Sequence, residues 1–188
     1  SSDLAGLHAR ELAALLKAAG EGGPFLVIGH SYGGIIARAL ARQQRGSVAA
    51  LFLAEGVAPG DPNITGTWQE ASTDVDLARS LAAGTGLDLG SEPLVVMTAS
   101  APDRNRLDGP VYGQSDDVTQ AWLAAQRRST ALSTDSIQVT ARSGHELQKD
   151  SPAAVLAALD ALLADLADGT PLACDARWAP LGAQCRTG

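Results

Sequence analysis

The chain has 188 residues, 45% of them apolar, which is enough for one globular domain with a real core. Lys and Arg total 14 against 21 Asp and Glu, so the net charge is −7, which argues against a nucleic-acid binder and against attraction to anionic lipid. Aromatics make up only 4% beside 35 alanines, and no apolar run approaches the roughly 18 residues that a membrane span needs.

From Asp3 to Ala19, Leu4, Leu7, Leu12, Leu15, Leu16 and Ala19 repeat at helical spacing and stop at Gly20. Gly22-Gly23-Pro24 breaks the chain. Phe25-Leu26-Val27-Ile28 then reads as a strand buried on both faces. Gly29 to Gly34 forms a turn, and Ile35 to Gln44 a helix with Ile35, Ile36, Ala39 and Leu40 inward. Val48 to Ala54 is a second buried strand. A strand, a turn, a helix and a strand within about thirty residues predict a parallel sheet.

Residues 59–92 differ in character, with Gly60, Gly66, Gly84, Gly86 and Gly90 around a weak helical pattern from Val75 to Ala83. They read as a short insertion above the sheet. Leu94 to Thr98 is a third buried strand, and a helix is expected from about Asp116 to Leu132. Ile137, Val139 and Ala141 alternate with polar residues, which predicts a fourth strand nearer an edge. Ser151-Pro152 reads as a cap followed by proline at the first helical position, opening a helix to about Ala167.

Both cysteines, Cys174 and Cys185, lie in a Pro/Gly-containing tail and read as a short disulfide loop worth roughly 3 kcal/mol. With no nearby His, a zinc site there would be half empty. A disulfide implies export, so an extracytoplasmic location is expected, the cytoplasm being the alternative if the thiols are incidental. The expected organisation is a core over 1–58, an insertion over 59–92, a second core segment over 93–168 and a tail over 169–188.

Gly29-His30-Ser31-Tyr32-Gly33 is the sharpest feature, a Gly-x-Ser-x-Gly set after a buried strand and before a helix. A tight turn there strains the central residue, so its neighbours must be small, and holds its side chain outward. The Tyr32 N–H, at the positive end of the helix, is the expected oxyanion donor. Serine needs a base. His8 lies in the first helix and reads as a surface residue, and His30 cannot fold back onto Ser31 and reads as packing. His145, in the loop Arg142-Ser143-Gly144-His145 after the fourth strand, is the expected base.

These residues carry a resemblance to the α/β-hydrolase fold family. FLVIGHSYGGIIARALA resembles its nucleophile strand, elbow and helix; VAALFLAEGVAP and EPLVVMTASAPD resemble the next two strands; SGHELQKDSPAAVLAALDALL resembles the catalytic-histidine loop and final helix. The resemblance implies an α/β fold with a mostly parallel sheet flanked by helices and a short cap insertion. It implies a serine hydrolase of ester-like, small acyl substrates, needing no cofactor. Some members carry their acid where Glu55 stands, and more carry it near Asp103, but there this chain has Thr98-Ala99-Ser100-Ala101-Pro102-Asp103, without the usual Gly. Glu55 is the expected acid and Asp103 the alternative. Glu146 reads as solvated. Trp68 and Trp122 read as packing residues that could instead line an acyl pocket. Arg127-Arg128 and Asp116-Asp117 read as solvated faces.

The elbow falls only 31 residues in, so the resemblance implies an N-terminally truncated fold without the loop that supplies a second oxyanion donor. That keeps open a non-catalytic fragment or binding protein. A perhydrolase or acyltransferase would use the same triad. Enzymes of this resemblance with an Asp nucleophile are disfavoured, because Ser31 holds that place.

Overall fold

The computed structural model describes residues 4–61, 67–70, 73–100 and 116–188. In chain order these form α1 (Leu4–Ala18), β1 (Phe25–His30), α2 (Gly33–Gln43), β2 (Val48–Ala54), β3 (Thr67–Glu70), β4 (Thr73–Asp76) and α3 (Leu77–Ala82). There follow β5 (Leu94–Ala99), α4 (Asp116–Arg128), β6 (Ser136–Ala141), α5 (Leu147–Asp150), α6 (Pro152–Asp168) and β7 (Ala183–Thr187). Five strands make one sheet in the order β1-β2-β5-β6-β7, the first four parallel and β7 antiparallel to β6.

Continuous apolar strands serve a sheet covered on both sides. Phe52, Val95, Met97, Ile137 and Val139 project to one face and pack with Ala154, Ala158 and Leu162 of α6. Leu51, Leu53, Leu94 and Val96 project to the other and pack with Ala37 and Ala41 of α2. Small alanines on both helices let them approach the sheet closely. Burying each Phe or Leu contributes about 1.5–3 kcal/mol. The result is the mixed α/β architecture expected, with a mostly parallel sheet between helices.

Several sequence expectations are corrected. β1 is half-buried rather than buried on both faces, and Ile28 is 54% exposed, because β1 is the last strand on its side of the sheet. β6 stands next to the edge strand, nearer an edge than β5 as expected, but it is paired on both sides. Its polar Gln138 is buried, its amide donating to Thr98 Oγ1 at 3.3 Å, and β7 covers its outer side. The residues read as a plain tail supply that covering strand. The Cys174–Cys185 disulfide, with Cα atoms 5.2 Å apart, ties its neighbour segment down, and Trp178 is buried in the α6 cluster.

The leucine stripe of α1 faces differently too: Leu4, Ala5, Gly6 and Ala9 are buried, while Leu7 and Leu15 are exposed. Against α2, Leu4 and Ala5 pack with Tyr32 and Ile35, and Ala9 with Ala39 and Leu40, with Leu12 half-buried beside them. The region 59–92 contains the antiparallel pair β3–β4, which alternation did not reveal, and a helix shorter than expected. α6 starts at Pro152, but Ser151 does not cap it. Its hydroxyl donates instead to the carbonyl of Arg142 at 3.0 Å.

Candidate active site

At the carboxyl ends of the parallel strands, two residues adopt positive φ without being glycine. Ser31 has φ 53° and Glu55 has φ 48°. Such a backbone costs roughly 1–2 kcal/mol for an L-residue, so both turns must be held by their surroundings. Ser31 follows β1 directly and precedes α2, as the elbow reading requires. Its N–H donates to Ala54 O at 3.1 Å, and its carbonyl accepts from Gly34 N at 3.0 Å and Val57 N at 3.3 Å. The elbow is thereby clipped to the end of β2.

The glycine requirement is narrower than the motif suggests. A Cβ on Gly29 would sit 2.6 Å from Gly33 O and 2.7 Å from Gly34 Cα, so only glycine fits. One on Gly34 would sit 2.9 Å from Gly56 Cα. A Cβ on Gly33 would meet no described atom within 4 Å, so the second motif glycine is not demanded by space. Tyr32, buried, is the N-cap residue of α2, which puts its backbone at the positive helix end.

Glu55 is 1% exposed. Its N–H donates to Met97 O at 2.8 Å, and its Oε1 accepts from Ala99 N at 2.6 Å. Oε2 lies 3.5 Å from His145 Nδ1, whose side chain is 10% exposed. The structure thus brings Glu55 and His145 together at ion-pair distance. His145 in turn meets the elbow's own strand. The His30 ring lies 4.6 Å from the His145 ring, and His30 Nε2 is 2.9 Å from the His145 carbonyl. Asp103 lies outside the described residues, as does the side chain of Trp68.

A scan against protein-family models matches the thioesterase domain over residues 2–106, more than half of the chain. The chain belongs to the thioesterase domain family. That family is a member of the α/β-hydrolase superfamily, which makes the chain a hydrolase of the acyl-ester kind by descent. No curated protein matches it. The matched span of this thioesterase-domain chain includes Ser31 and Glu55, and His145 lies beyond it.

The other expectations fall out as follows. His8 is half-buried rather than on the surface. α1 packs against α2, and the imidazole meets the Tyr32 ring edge-on at 6.3 Å. Glu146 forms an ion pair with Lys149 at 3.2 Å, and that hydrogen-bonding neighbour holds its carboxyl below the ordinary value. Trp122 is fully buried, and Arg127 and Arg128 are exposed.

Three supports had no signal in the sequence. Gln126 of α4 donates to the carbonyl of Gly56, the residue after Glu55. Ala99 supplies a backbone N–H, which any residue would. Arg38 of α2 is buried and donates to Ser129, and burial pushes its guanidinium down to about 10. Among the described residues no cluster of His, Cys, Asp and Glu suits a metal ion, and no helix is long and apolar enough to cross a membrane.

Proposed function

We propose that the protein is a serine hydrolase that cleaves carboxylic esters or thioesters of small acyl substrates through an acyl-enzyme. The observation that carries this reading is the placement of Glu55 Oε2 3.5 Å from His145 Nδ1, beside the strained elbow of Ser31. Thioesters enter because of the family, which is named for them.

In this mechanism His145 carries its proton on Nδ1 toward Glu55 and accepts the next one on Nε2. Ser31 Oγ attacks the acyl carbonyl carbon as its proton passes to His145 Nε2. Glu55 stabilises the imidazolium, and the Tyr32 N–H meets the oxyanion. His145 returns the proton to the leaving alcohol or thiol, and the acyl–Ser31 ester forms. In the second half water attacks the acyl carbon as His145 takes its proton, and His145 then gives that proton to Ser31 Oγ as the Oγ–acyl bond breaks and the acid departs.

Glu55 rather than Asp103 is the acid in this account, because its carboxylate is buried, strained into place and already against the imidazole. The tail disulfide supports an extracytoplasmic location. Turnover of p-nitrophenyl esters and of acyl thioesters tests the reading. Wild-type protein is expected to hydrolyse both, and His145→Ala to lose about 10⁴-fold or more in kcat/KM. Equal turnover by the two proteins would refute it.

A further inference from the structure

His30 presents a problem of placement that its packing does not explain. The loop carrying His145 leaves β6, which stands three positions from β1 in the sheet. At about 4.8 Å per strand, the loop must reach across roughly 14 Å to meet the nucleophile's strand. The hydrogen bonds of Ser143 and Gly144 stay within the loop and the short helix after it: Gly144 N donates to Asp150 Oδ2 at 2.9 Å and Ser143 Oγ to Gly144 O at 2.8 Å. Glu55 reaches the imidazole from the end of β2.

His30 is the last residue of β1 and the covalent neighbour of Ser31. Alternation along β1 places it on the same face as Leu26, which packs against the α6 cluster. Its Nε2 lies 2.9 Å from the backbone carbonyl of His145 itself. A carbonyl only accepts, so His30 must carry its proton on Nε2 and donate. The two rings also lie against each other, with centroids 4.6 Å apart.

We propose that His30 is a positioning residue for the base. By gripping the His145 carbonyl it sets the separation between Ser31 and the His145 ring, so that the nucleophile and its base are joined through one side chain. The proposal rests on the Ser31–His145 reading above. Nucleophile and base sit on distant segments, and this bond links them through the residue covalently next to Ser31. A misplacement of about 1 Å can cost about 10²-fold in rate, so a single hydrogen bond at this point has leverage.

Three substitutions separate reach from bulk. In His30→Gln the amide nitrogen stands as many bonds from the backbone as Nε2, so it can still donate to the His145 carbonyl. In His30→Asn it falls short, and His30→Phe keeps a ring without a donor. Ester turnover and thermal melting are measured for all three, with Ser31→Ala and His145→Ala as controls. The expected result is a fall of about 10²-fold in kcat for the Asn and Phe forms with KM little changed, and recovery of most of it by Gln. Wild-type kcat in the Phe and Asn forms, or an equal loss in all three that follows their melting temperatures, would overturn the positioning role. If Ser31→Ala or His145→Ala kept full turnover, the underlying reading would fall and this inference with it. Dead controls beside fully active His30 variants would overturn the inference alone.

Discussion

Two neighbouring strand ends carry the non-glycine residues of positive φ among the described residues, and they are held in different ways. At the end of β1, Ser31 is held by backbone economy. Gly29 leaves room that no Cβ could share, and hydrogen bonds from the first turn of α2 and from Val57 close on the Ser31 carbonyl. At the end of β2, Glu55 is held by partners far away in the chain. Ala99 N binds its Oε1, Gln126 binds the next carbonyl, and His145 Nδ1 faces its Oε2. The first device is largely local, closed by Ala54 and Val57, and the second is wholly tertiary. They meet where Ser31 N binds Ala54 O and where Gly34 passes Gly56.

The largest expected effect breaks the comparison at β1. Ser31→Ala is expected to lower kcat/KM by about 10⁴–10⁶-fold while leaving the fold intact. Ser31→Gly should be equally inactive yet more stable in thermal melts by about 1 kcal/mol, because glycine accepts φ 53° without strain. Glu55→Gly should instead destabilise, since it deletes the carboxylate that Ala99 N needs. If both glycine variants moved stability in the same direction, the two ends would not differ as described.

Next comes the acid. Glu55→Gln is expected to reduce kcat/KM by about 10⁴-fold, whereas Asp103→Asn should leave it within a few-fold. The reverse ranking would move the acid to the loop after β5. Smaller again is a pair of alanine substitutions in the elbow. Gly29→Ala forces contacts of 2.6 and 2.7 Å with backbone atoms and is expected to cost at least about 1–3 kcal/mol. Gly33→Ala meets open space at the start of α2 and should be neutral or stabilise by up to about 1 kcal/mol. Denaturant unfolding of the two proteins reads the difference directly.

These ends also show what the sequence could and could not reveal. The elbow was legible because its constraint is written in adjacent residues: a buried strand, Gly29, Ser31 and a helix. Glu55 could be read only as a carboxylate at a strand end, because its holders lie in β5 and α4, and no local pattern marks Ala99 or Gln126. Periodicity located every strand of the parallel sheet but misjudged their surroundings. β6 read as nearer an edge because Gln138 is polar, and only the fold supplies the Thr98 hydroxyl that satisfies it. β7 escaped notice because its alternation is short and its worth lies in covering β6.

The smallest expected effect serves as a control remote from both ends. Asp165 in α6 is partly desolvated and hydrogen-bonded to Asp135, with Asp168 also near, which raises its carboxyl from 3.8 to about 6. The folded state therefore holds this proton more tightly than the unfolded chain does. That contribution to stability is fully present below pH 3.8 and is lost as pH rises through about 6. Asp165→Asn should remove this pH dependence of the melting temperature and leave kcat unchanged at every pH tested. A change in kcat would tie α6 to the site in a way the geometry gives no reason to expect.

The central claim is that Ser31 is the nucleophile and that His145 activates it. Its most direct measurement is reaction with a fluorophosphonate followed by peptide mass spectrometry. The account predicts one adduct, on Ser31, formed readily by the wild-type protein and very slowly by His145→Ala. No adduct at Ser31, or labelling of Ser31 at the same rate without His145, would contradict it.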